Sequence, residues 1–318
     1  MSSVASPGSD YRTVTEECGL LDRSERGKLA LLGAEVKGFL QGQVTNDVEG
    51  LRPGQGCYAA FLTPKGKMLG DLRILDAGDE LLLDTERVAL QQLFNMIRRF
   101  SIGYQVELQK RTLECGLVSL IGPASDGVAG VKGLEGEHAH RPLSVGQVQA
   151  RAIRTVHGLD LLCAAADTEA LIAALVVEGA TPVSEQAAEC VRVESGLPRY
   201  GVDLDDTVIP QEAGLNARAV SFTKGCYVGQ ETVARLYYRG KPNRHLRGLR
   251  LSKPAQVGEQ LELGGRVVGL LTSVADSPRF GPIGLALVRR EAAPGTTVSV
   301  GAAGGAGEVV ELPFADRT

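Results

Sequence analysis

The chain has 318 residues, 43% of them hydrophobic and 23% charged, with a net charge of −4. That length is too great for one ordinary core and predicts two or three domains of a globular protein. With 4% aromatic residues and no Trp, the chain has neither the basic stripe nor the stacking platform of a nucleic-acid binder, and no direct nucleic-acid partner is expected.

Six cysteines are scattered at 18, 57, 115, 163, 190 and 226 with no C-x-x-C, which argues against a disulfide scaffold or a structural zinc site and fits a reducing cytoplasm. Met1 to Asp10 is rich in Ser, Gly and Pro and reads as a disordered N-terminus; it lacks the apolar core of a signal peptide. No apolar run approaches the length of a membrane span, so no membrane partner is expected and the location predicted is cytoplasmic.

Lys28 to Leu32 reads as a strand and Ala34 to Gln41 as a short helix with Val36, Phe39 and Leu40 on one face. Gln43 to Gly56 is a polar loop. A meander follows, with strands at Tyr58 to Leu62, Met68 to Leu75 and Leu81 to Asp84 and a turn at Thr63 to Gly66. Glu86 to Phe100 has a helical period, with Val88, Leu90, Leu93, Phe94, Ile97 and Phe100 as the expected buried stripe. Val106 to Leu108 and Leu117 to Ile121 return as strands. Gly122 to Gly146 reads as loop with room for a small helix. It holds the pair His138 and His140, which lacks the further ligands of a metal site, and none is expected. Val148 to Val156 and Leu159 to Ala164 form a hairpin around His157-Gly158, and Thr168 to Glu178 is a helix. The meander–helix, hairpin–helix order predicts two antiparallel α+β lobes. From about Leu246, short apolar runs separated by Gly and Pro predict a small β-barrel. The domains are therefore a disordered tail (1–10), a two-lobed region whose lobes can interleave in sequence (11–245), and the barrel (246–318).

Three segments carry candidate chemistry. Asp71 lies in the middle of a strand between apolar neighbours, where a carboxylate is either on an exposed face or needs a partner or cavity. Glu194 ends a helical stretch before Gly196; it is either a surface residue or an acceptor for paired N–H donors of a flat heterocycle. Lys224-Gly-Cys-Tyr-Val-Gly-Gln-Glu231 precedes a helix over Glu231 to Arg239. A cation two residues away and a helix N-terminus both favour the Cys226 thiolate, and Gly225 and Gly229 permit tight backbone around it.

The runs F-L-Q-G-Q-V-T-N-D-V (from Phe39), P-K-G-K-M (from Pro64), E-S-G-L-P (from Glu194), I-P-Q (from Ile209) and K-G-C-Y-V-G-Q-E (from Lys224) closely resemble the YgfZ-type folate-binding proteins, paralogues of the glycine-cleavage T-protein, an aminomethyltransferase. The resemblance implies a three-domain cloverleaf around a folate channel. It implies tetrahydrofolate or a derivative as cofactor, and a role in assembling or repairing iron–sulfur clusters of client enzymes, including radical enzymes that modify tRNA. It makes Cys226 the functional thiol, with Lys224 and Asp71 beside it as catalytic candidates. Glu194, Asp71, Tyr227 and Gln230 become folate-binding candidates, and Gly225, Gly229 and Glu231 motif residues. Asp71 matches the second member of the aminomethyltransferase's Asp-Asp pair; the first is Gly70 here, which argues against aminomethyl transfer. The alternative function is a folate-dependent aminomethyltransferase or other one-carbon transferase.

Overall fold

The computed structural model describes residues 7–302 and 304–316. Helix α1 (Pro7–Glu16) opens the chain, so the expected disorder does not extend to residues 7–10; residues 1–6 lie outside the described residues. Strands β1 (Gly19–Asp22) and β2 (Gly27–Leu32) follow, then helix α2 (Val36–Gln41). The meander comprises β3 (Gly56–Leu62), β4 (Met68–Asp76) and β5 (Glu80–Thr85), and leads to α3 (Leu90–Phe100) and β6 (Glu107–Lys110). Next come β7 (Cys115–Ile121), α4 (Ser125–Ala129), β8 (His140–Val145), β9 (Val148–Thr155), β10 (Gly158–Ala164), α5 (Thr168–Val177) and the two-residue β11 (Thr181–Pro182). Helices α6 (Glu185–Glu194), α7 (Asn216–Ala219) and α8 (Gln230–Arg239) sit along a largely irregular stretch. Strands β12 (Arg244–Leu251), β13 (Gln260–Leu263), β14 (Arg266–Ser277), β15 (Gly281–Arg289), β16 (Thr297–Val300) and β17 (Gly305–Val310) complete the chain.

These strands make two sheets and a closed barrel. One sheet has the order β11-β1-β7-β10-β9-β8, the other β3-β4-β5-β2-β6, and the barrel β12-β15-β14-β13-β16-β17. Pairing is antiparallel throughout except between β1 and β11. The first sheet takes β1 from the start of the chain and its remaining strands from residues 115–182, so the chain leaves it for the second sheet and returns. The barrel closes because β17 pairs with β12, Gly248 opposite Val310. The α+β region followed by a β-barrel is the architecture the sequence predicts.

Alternation along the strands decides which face each sheet buries. In the second sheet Ala59, Phe61, Leu72, Ile74 and Leu83 point one way and pack with Phe39, Leu40, Leu93 and Ile97 of α2 and α3. In the first, Val118, Leu120, Leu159 and Leu161 pack with Leu171 and Leu175 of α5. Each fully buried Leu or Phe contributes about 1.5–3 kcal/mol. The opposite faces carry Asp71, Arg73 and Asp84 on one sheet and Ser119 and Asp160 on the other. Arg73 joins them, with Nη2 2.5 Å from Asp84 Oδ2 and Nη1 2.7 Å from Asp160 Oδ2. Two sheets that are apolar outward, towards their helices, thus meet through a polar seam. The stripe expected on α3 is shorter than its periodicity implies. The helix starts at Leu90, only Leu93 and Ile97 are buried, and Val88 and Phe100 are 63% and 44% exposed.

Candidate functional site

The polar seam opens into a cavity of about 300 Å³ whose lining includes Tyr58, Asp71, Arg73, His138, Tyr200 and Arg218. Register explains why three of these converge. Tyr58 pairs with Arg73 and Ala60 with Asp71, so Tyr58 and Asp71 are diagonal neighbours on one face of the β3–β4 hairpin. The Tyr58 hydroxyl donates to Asp71 Oδ2 at 2.6 Å, and the Thr85 hydroxyl donates to the Asp71 carbonyl at 2.5 Å. Burial pushes the Asp71 carboxyl up to about 6; the Tyr58 bond opposes that rise and Glu86 adds to it. Asp84 behaves oppositely. Burial alone would raise it, but Arg26 and Arg73 overcome this and hold it below its ordinary range.

Segments from elsewhere in the chain close the cavity. Arg218 sits 5.5 Å from the centre of the Tyr58 ring and pairs with Glu137 at 2.5 Å. His138 is the one non-glycine residue with positive φ (69°) among the described residues, a conformation uncommon away from glycine and enriched in Asn, Asp and His. Burial first, then the Arg73 charge, pushes its imidazole down to about 4, so the ring is neutral at pH 7. Two buried nitrogens of these lining residues, Arg73 Nε and His138 Nδ1, have no hydrogen-bond partner among the described residues. His140, the other half of the H-x-H pair, is separately occupied: its Nε2 lies 3.1 Å from the Gln55 carbonyl, and Arg151 Nη1 lies 2.9 Å from its Nδ1. Tyr200 reaches the cavity because the segment after α6 is anchored. Arg192 pairs with Glu189 at 2.6 Å and Asp203 at 2.7 Å, and Asp203 Oδ1 accepts from Thr272 (2.6 Å) and Ser273 (2.7 Å) of the barrel.

Of the residues proposed from the sequence for catalysis or folate binding, Asp71 is the one that lines this cavity. Glu194 does not. At the end of α6 its carboxylate accepts from Tyr11 (2.9 and 3.1 Å) and from Ser277 (2.5 Å), tying α1 and the barrel to α6. Its acceptor capacity goes to hydroxyls of the protein rather than to the cavity. Tyr227 also departs from the expectation. It is 8% exposed and packs with Leu62, Met68, Val208 and Val233, so its ring fills a core. Gln230 is the first residue of α8, Glu231 is exposed, and neither lines the cavity.

The loop around Cys226 is built differently from its sequence reading. Lys224 donates to the carbonyls of Gln41 (2.5 Å), Val44 (2.7 Å) and Asn46 (2.9 Å), which uses all three ammonium protons. Burial lowers it to about 8, with Asp47 opposing. The cation expected beside Cys226 is therefore a staple between this loop and the segment after α2. Cys226 is four residues before α8, outside its first turn, and is the exposed member of the six cysteines. Gly229 adopts φ 85°, and a Cβ there would lie 2.6 Å from the Thr63 carbonyl oxygen; at Gly225 a Cβ would meet nothing within 4 Å. Gly70 admits no side chain either, since a Cβ would lie 2.5 Å from the Phe61 ring and 2.7 Å from Ala89.

Tyr58, Arg73, Tyr200 and Arg218 were not singled out in the sequence, and His138 was named there only as half of an H-x-H pair, not as a lining residue of this cavity. The hairpin turn at Thr63–Gly66 could have placed Tyr58 and Arg73, because it sets the register that puts them on the face of Asp71. Nothing local signals Arg218, and the H-x-H spacing does not tell His138 from His140.

The family model for the GCVT N-terminal domain matches residues 3–224, and that for the glycine cleavage T-protein C-terminal barrel domain matches residues 244–316. The chain is 31% identical to an aminomethyltransferase of Geobacillus kaustophilus, over 97% of this chain and 90% of that one. It is 30% identical to a putative chloroplastic transferase of Arabidopsis thaliana, over 94% and 71%. Its fold superposes on the crystal structure of the glycine cleavage system aminomethyltransferase T of Bartonella henselae with a TM-score of 0.86, at 24% identity, over 96% of this chain and 89% of that one. No helix among the described residues is long and apolar enough to cross a membrane. By these matches across both its α+β region and its barrel, the chain belongs to the glycine cleavage T-protein family.

Proposed function

We propose that this chain is a YgfZ-type member of the family. It binds a reduced folate, tetrahydrofolate or a derivative, in the cavity between the sheets. Through Cys226 it serves assembly or repair of iron–sulfur clusters in client enzymes, radical enzymes that modify tRNA among them. The observation that carries the reading is the placement of the thiol. Cys226 is exposed on a loop held in shape by the Lys224 staple and Gly229, while the other five cysteines are buried or partly so. A thiol presented to solvent suits a step on another protein.

The cavity residues suit a folate. Tyr58 and Asp71 offer a polar edge, and Arg73 Nε and His138 Nδ1 are buried polar groups that lack a partner among the described residues. The volume falls at the small end of small-molecule sites. A bound folate would supply one-carbon chemistry; the protein's own part would be to orient it and to hold or release a proton at Asp71.

A second reading, a folate-dependent one-carbon transferase, is favoured by that same Asp71, whose pKa near 6 suits proton transfer around neutrality. Against aminomethyl transfer stands Gly70, where Phe61 and Ala89 fill the space a second carboxylate would need. Calorimetry with tetrahydrofolate tests the binding half. Asp71→Asn should weaken binding roughly 10- to 100-fold, the cost of about 1–3 kcal/mol for a lost buried hydrogen bond, while Cys226→Ser leaves it unchanged. Absence of binding by the unaltered chain would refute folate as the ligand.

A further inference from the structure

We infer that α8, together with the loop that carries Cys226, is a docking surface for an acidic protein surface, that of the iron–sulfur client, and that it holds the client beside the thiol; this rests on the accessory-factor reading above. Helix α8 buries one residue, Val233. On its open side Tyr237 and Tyr238 are 48% and 67% exposed. Phe222, in the Cys226 loop, stacks on Tyr237 with ring centres 3.8 Å apart, and Tyr238 meets Tyr237 edge-on at 5.0 Å. The aromatic cluster therefore couples the loop to the helix.

Cations surround it. Arg235, Arg239 and Lys241 are exposed, and none has a carboxylate within ion-pair distance among the described residues. Glu231 is the single acid between residues 230 and 241. A local excess of positive charge on a chain of net charge −4 is a feature of this surface, not of the whole protein. Exposed Tyr and Arg together have the composition of a protein-interface centre, where truncating one of the few hot-spot residues costs tenfold or more in affinity. Charge complementarity sets the partner's sign: a carboxylate-rich surface would pair cations that now face water. Single-stranded nucleic acid fits less well, because a ring face that a base would use is already covered by Phe222.

The test compares full-length variants in a strain lacking the protein, with client iron–sulfur enzyme activity as the readout at matched protein levels. Arg235→Glu with Arg239→Glu should lower the restored activity about tenfold or more, while the rate at which iodoacetamide labels Cys226 stays within about twofold of the unaltered chain. If that double variant fails to fold, Lys241→Glu and Tyr238→Ser, at exposed positions, carry the test with the same expected direction. Full restoration by the surface variants, with none by Cys226→Ser, would overturn the docking surface and leave the accessory role standing. Full restoration by Cys226→Ser would overturn the role itself and the surface with it. Binding of a single-stranded RNA oligonucleotide by the unaltered chain, lost in the double variant, would also overturn the inference by assigning the surface to RNA.

Discussion

The two glycines of the Cys226 loop should respond very differently to alanine. Gly229 has φ 85° and ψ 0°, a left-handed conformation in which a Cβ costs about 1–2 kcal/mol. The added methyl would also lie 2.6 Å from the Thr63 oxygen and 3.1 Å from the Gly66 Cα. That oxygen accepts from the Gly66 N–H at 2.8 Å within the β3–β4 turn, so moving it aside sacrifices a hydrogen bond of about 1 kcal/mol. Gly229→Ala should therefore destabilise the protein by about 2–4 kcal/mol. At Gly225 φ is not positive and a Cβ meets nothing within 4 Å, so Gly225→Ala should change stability by no more than about 0.5 kcal/mol. Guanidinium unfolding followed by circular dichroism would measure both. Equal losses at the two positions would mean that the loop is not held against the β3–β4 turn in this way.

Other expectations concern the remaining site residues. Glu194→Ala should cost about 1–3 kcal/mol of stability by freeing Tyr11 and Ser277, yet leave tetrahydrofolate affinity unchanged; a calorimetric loss of affinity with intact stability would return Glu194 to the ligand. Cys226 should alkylate faster than the other five cysteines at neutral pH, because it is exposed and burial raises the pKa of each of the others, Cys57 and Cys190 to about 12. Lys224→Ala should not slow it, since that ammonium is bound to three carbonyls; mass spectrometry of iodoacetamide labelling reads both. His138 and His140 are both pushed down to about 4 by burial, so between about pH 6.5 and 4 the unfolded chain binds protons that the fold does not. Their contribution is present above pH 6.5 and lost as pH falls through that window, roughly 3 kcal/mol each. Asp71 acts oppositely: its raised pKa adds stability that is full below its unfolded value and lost as pH rises through about 6. Unfolding midpoints from pH 7 to 4 should fall less steeply in a His138→Asn, His140→Gln variant, and an unchanged slope would contradict the assignment.

What could be read from the sequence follows the range of the interactions involved. Strand alternation is local, so the Leu72/Ile74 face and the Asp71/Arg73 face of β4 are both legible, and with them a carboxylate in need of a partner. The barrel is legible from its spaced apolar runs except for β17, where Gly-Ala-Gly-Glu lacks an apolar run and pairing with β16 on one side and β12 on the other makes the strand. Partners distant in sequence are not legible. Glu194 meets Tyr11 across 183 residues, and its helix gives no hint that it faces hydroxyls rather than a ligand. Lys224 reads as the neighbour of Cys226 because they are two residues apart. A flexible four-carbon stem lets it reach carbonyls 178 to 183 residues away in sequence instead. The ordered turn at Pro7–Asp10 escaped the composition because α1 is held by packing of Val14 on Ala187 and Val191 of α6.

On the proposed reading, client enzymes require the exposed thiol of Cys226 rather than one-carbon chemistry at Asp71. The most direct measurement is the extent of tRNA modification by a radical iron–sulfur enzyme in a strain lacking this protein, supplied in turn with the unaltered chain, Cys226→Ser and Asp71→Asn at equal levels. The accessory-factor reading leads to full restoration by the unaltered chain, none by Cys226→Ser, and partial restoration by Asp71→Asn. Full restoration by Cys226→Ser together with complete loss in Asp71→Asn would contradict it and favour the one-carbon transferase.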